Sequence, residues 1–215
     1  MLCVELLGRT GYVEALALQT ARVRERRLGT RGDCLLLTEH DPVVTVGRAT
    51  GASEAPDAVA LRAARIALHE ASRGGKVTYH GPGQLVGYPI VDLRPRGKDL
   101  HRFVECLQAA LIRALREMGV AATSCDGLRG VWVDGRKIAS IGVAVRGWVT
   151  YHGFALNVCG DLSAFDLICP CGIMGVRMTS IAEELPSAPA WNQVQGMVVE
   201  AVVAEFGYRG WAASA

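Results

Sequence analysis

Seven residues, Val131-Trp132-Val133-Asp134-Gly135-Arg136-Lys137, restrict the fold of this chain more than any other stretch. An apolar, β-branched run ends at Asp-Gly, among the strongest short-range signals for a two-residue hairpin turn, and an alternating run from Lys137 to Val145 begins on its far side. The alternation puts Lys137 on one face with Ala139, Ile141, Val143 and Val145, and Ile138, Ser140, Gly142 and Ala144 on the other. Further strands are expected near Leu2 to Leu7, Asp33 to Glu39, Val43 to Val46, Ala67 to Glu70, Lys76 to Tyr79, Leu85 to Val91, Gly130 to Val133 and Thr150 to Asn157. Apolar residues at three- and four-residue spacing predict helices over Gly11 to Arg27, Leu100 to Met118 and Trp191 to Phe206. Strands in a mostly consecutive block with helices interspersed give an α+β (mixed α/β) class, β-sheets flanked by helices. No repeat or low-complexity segment divides the chain. Residues 1–215 read as a single domain, with room for a small C-terminal lobe from about residue 187, after the turn-rich Glu184 to Pro189.

Half of the 215 residues are apolar, enough for a sizeable core without a disulfide scaffold. Seven cysteines is an odd number, and Met1 to Gly8 is short and carries Glu5, unlike a secretory signal. Reduced thiols in the cytoplasm are therefore expected, with Cys3, Cys34, Cys106 and Cys159 buried as small hydrophobes. The longest apolar runs fall far short of the ~20 residues that span a bilayer, so the reading is a soluble protein without a membrane partner. A formal charge of +2, with no aromatic-rich basic stretch, gives no sign of nucleic-acid binding. Only Arg22, Arg24, Arg26 and Arg27 form a dense basic group. They complement the C-terminus of the first helix or, in a sharper reading, dock an acidic protein partner.

Three lysines, Lys76, Lys98 and Lys137, stand against twenty arginines. Arginine does not exchange a proton near neutral pH, whereas a lysine in an apolar setting can. Lys137 begins its strand among apolar neighbours, although a hairpin end more commonly carries an exposed lysine whose stem snorkels. Cys171, in Pro170-Cys171-Gly172, is a candidate nucleophile: a thiol attacks as thiolate, a nearby ammonium favours that form, and the Gly172 amide can meet a developing oxyanion. Cys169 and Cys171 lack the second pair that a metal site needs, so no metal is expected. Arg73-Gly74-Gly75-Lys76-Val77-Thr78-Tyr79-His80-Gly81-Pro82-Gly83-Gln84 is a glycine-rich loop that either makes tight turns around a short strand or lets backbone approach a ligand. It lacks the spacing of a nucleotide-phosphate loop. His80 and His152 could orient a Cys/Lys pair or simply satisfy strand-end groups, while His40, His69 and His101 read as structural.

Arg73-Gly74-Gly75 with Val77 to Gln84, Lys137-Ile138-Ala139-Ser140-Ile141-Gly142, His152-Gly153-Phe154-Ala155-Leu156-Asn157 and Pro170-Cys171-Gly172-Ile173 together resemble the lipoyl(octanoyl) transferase family, as does Glu39 to Arg48 upstream. The resemblance runs from about residue 35 to 181, with the motifs in the family's order. It implies a single domain similar to the catalytic domains of biotin and lipoate protein ligases. It also implies a cytoplasmic acyltransferase that moves octanoyl from acyl carrier protein to a lysine of lipoyl domains, in the 2-oxoacid dehydrogenase E2 subunits and the glycine cleavage H protein. By residue matching Cys171 would be the acyl acceptor and Lys137 its acid/base partner. Arg73 to His80, Ser140 to Gly142 and Gly153 to Ala155 would line the acyl pocket. No cofactor follows from the resemblance, and a monomer is expected. Lys76 stands where glutamine is common, and Cys169 is an added thiol.

Two other readings remain from sequence: an ATP-dependent lipoate or biotin ligase, to which the glycine-rich loop also bears some similarity, and a non-catalytic protein that binds acyl groups or lipoyl domains.

Overall fold

In the computed structural model, which describes residues 1–169 and 175–214, apolar side chains on both faces of the central strands build a sheet buried on both sides. Its strands are β1 (Leu2–Thr10), β2 (Cys34–His40), β6 (Gln84–Ile90), β7 (Thr123–Cys125), β8 (Leu128–Val133), β9 (Arg136–Arg146), β10 (Val149–Asn157) and β11 (Trp211–Ala213). They follow the order β11-β1-β2-β6-β10-β9-β8-β7. β1 runs parallel to β2 and β11, and every other pairing is antiparallel. A smaller sheet pairs β4 (Ala67–Glu70), β3 (Val43–Val46) and β5 (Val77–His80) in that order.

The run Cys34-Leu35-Leu36-Leu37 is apolar at every position because both faces of β2 are covered. Leu35 and Leu37 enter the core beneath α3 (Leu100–Glu117) and α5 (Trp191–Glu205), and Cys34 and Leu36 enter the core beneath α1 (Tyr12–Leu28). On α3, Leu107, Leu111 and Leu115 recur every four residues and are fully buried, each removing apolar surface worth about 1.5–3 kcal/mol. Asp99 caps α3 through the Arg102 amide at 3.0 Å. α1 ends on Gly29, whose left-handed φ of 76° suits a residue without a Cβ. The basic group on α1 divides. Arg22 binds Glu5 through two bonds of 2.8 Å and Arg26 binds Asp33 at 2.7 Å, whereas Arg24 and Arg27 face outward.

The hairpin forms where the Asp-Gly pair demands it: Asp134 and Gly135 take φ of 46° and 75°, the double positive φ of a type I′ turn. The expected strands and the three long helices form with ends shifted by no more than two residues, except that β1 runs three residues past Leu7 to Thr10. Three-residue β7 and β11, and the short helices α2 (Ala58–Ala63) and α4 (Ile181–Glu184), were not foreseen. Thr123 to Cys125 and Trp211 to Ala213 are too short to show a period, and pairing with β8 and β1 holds them extended. Among the described residues no helix is long and apolar enough to cross a membrane.

Candidate active site

A cavity opens where the glycine-rich loop crosses the middle of β9 and β10. Arg73, Gly75, Lys76, Val77, Thr78 and His80 line it from the loop and β5, Ser140, Ile141 and Gly142 from β9, and His152, Gly153, Phe154 and Ala155 from β10. About 50 Å³ is open to the centre of a water-sized sphere, room for on the order of four waters. Gly74 and Tyr79 do not line it. The Gly74 amide bonds Val143 O at 3.0 Å, tying the loop to β9, and Tyr79 turns to the opposite side of β5 and packs edge-on against Phe165. Lys76 pairs with Glu54 at the rim.

Tyr12, Val86 and Tyr88 complete the lining, and the sequence reading missed them. Strand alternation through β6 carried a usable signal for Val86 and Tyr88, which share a face; Tyr12, at the start of α1, carried none. The Tyr12 hydroxyl is buried without a hydrogen-bond partner among the described residues, so it can receive a polar ligand atom. Its ring lies 5.8 Å from His40 and stacks on His80 at 6.4 Å. His40 sits behind the wall, bridging Thr10 O at 2.7 Å and the Tyr88 hydroxyl at 2.6 Å.

Arg73 is buried and clamps the loop, its guanidinium donating to Lys76 O, Thr45 O and Thr45 Oγ1, each at 2.8 Å. Gly142 is small for this reason: a Cβ there would stand 3.0 Å from Arg73 Cδ and Gly74 O. Burial, with the nearby His40 and the Arg73 charge adding to it, pushes the His80 imidazole down to about 3. Burial, then Arg73 and Arg48, do the same for His152, also to about 3. Both are neutral at physiological pH, each with one ring nitrogen that donates and one that accepts. His152 takes φ 56° within β10, costly for a non-glycine residue. Its N–H is met by the fully buried Gln19 Oε1 of α1 at 2.8 Å, and its Nε2 contacts Ser72 Oγ at 3.2 Å.

Lys137 is 2% exposed, so the hairpin-end lysine is buried rather than snorkelling outward. It does not line the cavity; along β9 it stands three residues, roughly 10 Å, from Ser140. Its Nζ lies 5.1 Å from the centre of the Trp132 ring, directly across the hairpin. Gly130 leaves room for the stem: a Cβ there would stand 2.6 Å from Lys137 Cε. The chain that follows the cysteine motif packs on Lys137, whose N–H donates to Arg177 O at 2.8 Å and whose carbonyl accepts from Thr179 N at 3.0 Å. Cys171 and Gly172, with Pro170 and Ile173, lie outside the described residues. Of the cysteines expected to be buried, Cys34 is, Cys3 and Cys106 are half-buried, and Cys159 is exposed, because β10 ends at Asn157 and the chain turns outward. The six described cysteines are free thiols, and no group of three or more His, Cys, Asp or Glu among the described residues could hold a metal.

The model of the lipoyl protein ligase A/B catalytic domain matches residues 11–203. The chain belongs to this family. Among relatives of this lipoyl protein ligase A/B domain, an octanoyltransferase of Geobacter sulfurreducens is 49% identical over 178 residues, covering 83% of this chain and 73% of that one. An octanoyltransferase of Syntrophotalea carbinolica is 45% identical over 193 residues, covering 90% and 89%. The fold is shared with a solved chain of the bipartite lipoate protein ligase system of Thermoplasma acidophilum, at a TM-score of 0.73 and 16% identity over 99% of this chain and 86% of that one.

Proposed function

We propose that the octanoyl transfer this enzyme carries out in protein lipoylation passes through a thioester on Cys171, with Lys137 as acid and base. The Cys171 thiolate attacks the carbonyl carbon of an octanoyl thioester, and the Gly172 amide receives the oxyanion. Collapse breaks the bond to the carrier's sulfur, and the Lys137 ammonium protonates that departing thiolate. The acceptor lysine then attacks acyl-Cys171, neutral Lys137 takes its proton, and the thiolate is released as the amide forms. The donor thioester is already activated, so ATP is not consumed.

The observation that carries this reading is the backbone pairing of Lys137 with Arg177 and Thr179. Five residues lie between Cys171 and Arg177, so the six steps of chain allow at most about 22 Å between them. The cavity beside β9 receives the acyl chain, with Arg73, Gly75 to Thr78, His80, Ser140 to Gly142 and Gly153 to Ala155 around it. The donor is octanoyl-acyl carrier protein, and the acceptors are lipoyl domains of 2-oxoacid dehydrogenase E2 subunits and of the glycine cleavage H protein. The free thiols fit a reducing cytoplasm, and the chain acts as a monomer, one domain throughout. Relatives at 45–49% identity called octanoyltransferases do not favour an ATP-dependent ligase or a silent binding protein.

Incubation with octanoyl-acyl carrier protein in the absence of ATP, followed by peptide mass mapping, tests the route. Octanoyl mass on Cys171 that a lipoyl domain then removes is the expected result. Transfer without label on Cys171, or only with ATP and octanoate, overturns it.

A further inference from the structure

A line of buried side chains runs from the glycine-rich loop to Lys137. Arg73 Nη2 donates to Thr45 Oγ1 at 2.8 Å; Thr45 Oγ1 meets His80 Nε2 at 3.4 Å; His80 Nδ1 meets Gln84 Oε1 at 2.8 Å. Gln84 Nε2 donates to Asn157 Oδ1 at 2.9 Å, and Asn157 Nδ2 donates to Thr179 O at 2.9 Å. Thr179 in turn donates its N–H to Lys137 O. Gln84 and Asn157 face each other directly across β6 and β10 and are 5% and 2% exposed.

The direction of every link is fixed by groups that cannot reverse. A backbone carbonyl only accepts, so Thr179 O requires the Asn157 nitrogen, and Asn157 Oδ1 is left to accept from Gln84. Tyr79 O likewise takes Gln84 Nε2, at 3.2 Å, which turns Gln84 Oε1 toward His80. His80 therefore donates from Nδ1 and accepts at Nε2, in keeping with an imidazole that stays neutral. Each buried carboxamide spends both of its ends inside this line, so a change at one is felt at its neighbours.

We infer that Asn157, backed by Gln84, is a positioning residue for Lys137. Its carboxamide pins Thr179, and with it the segment that covers Lys137, to the wall of the acyl cavity. The inference rests on the proposed Cys171–Lys137 pair and adds to it the device that holds the lysine in place. Removing the pin frees the segment paired with Lys137, while His80 and Tyr79 O still hold Gln84.

The test reads Cys171 directly, through its rate of alkylation by iodoacetamide against pH, resolved by peptide mapping. Thiolate reacts and thiol does not, so displacing the ammonium moves the profile to higher pH and slows alkylation at pH 7 by about tenfold per unit. N157A is expected to move toward the profile of K137A while octanoate binding is retained, and K137A/N157A is expected to match K137A alone. The isosteric N157D, which keeps the acceptor for Gln84 and sets an oxygen against Thr179 O, is expected to do the same and serves if N157A does not fold. A wild-type profile in these variants, or a double variant slowed by the product of both single effects, overturns the positioning role. If K137A itself alkylates and transfers like the wild type, the Cys171–Lys137 reading fails, and the inference falls with it.

Discussion

A fully buried lysine is costly unless its neighbours are arranged around it, and Lys137 has a glycine cut away beneath its stem, an indole across the hairpin and residues 177–179 paired with its backbone. None of these was readable from the hairpin itself. Periodicity gave the face on which Lys137 lies, but whether that face is covered at the hairpin end depends on residues 177–179, forty positions later in the chain. Cys159 shows the same limit in reverse. Its apolar sequence neighbours predicted burial, and the end of β10 exposes it. At Lys137 the decisive substitution is Lys137→Arg, which keeps a positive charge but cannot return a proton near neutral pH. Loss of general acid–base assistance is expected to lower kcat by about 10²–10⁴-fold, with KM for the octanoyl donor changing far less. Steady-state kinetics with the arginine variant would check this, and near-normal turnover would remove Lys137 from proton transfer.

At the scale of elements, the long helices and most strands were legible because each carries its own period or, like β2, an unbroken apolar run, whereas β7 and β11 exist only through their partners. The cavity was legible in part for the same reason. The glycine-rich loop and the small residues of β9 and β10 announce a close approach of backbone, but the wall from β6 and α1 comes from tertiary packing: alternation sets Val86 and Tyr88 on one face without saying what that face meets, and Tyr12 carries no local mark at all. α1 also separates two uses of one basic cluster. Arg22 and Arg26 are consumed by Glu5 and Asp33, so only Arg24 and Arg27 are displayed for an acidic carrier. Reversing those two exposed charges with Arg24→Glu and Arg27→Glu is expected to slow association with acyl carrier protein by about tenfold at low salt, with the deficit shrinking as salt rises toward a Debye length of about 8 Å. Stopped-flow association at several ionic strengths measures this. Equal rates at every salt concentration would confine the arginines to completing the helix.

For the whole molecule, the buried imidazoles tie stability to pH. In the unfolded chain a histidine takes up its proton near pH 6.5, while in the fold His80 and His152 resist protonation down to about 3, and burial lowers His40 in the same direction. Between these limits the unfolded state binds more protons than the native one, so stability is greatest above pH 6.5 and is lost as the pH falls toward 3. Each such group contributes a slope of up to about 1.4 kcal/mol per pH unit over that window. Carboxylates held low by their partners, Asp92 by Arg94 among them, add acid lability of the same sign, but only near and below their own ordinary range around 3.8. The window from pH 6.5 to 5 therefore belongs to the imidazoles. Urea midpoints measured across it should fall steadily for the wild type, and His80→Gln should flatten the fall by about one proton even if the variant is less stable at every pH. An unchanged slope would mean that His80 charges in the fold as readily as in water. His80 Nε2 would then donate to Thr45 Oγ1 rather than accept from it, reversing that one link while the carbonyls of Tyr79 and Thr179 hold the others.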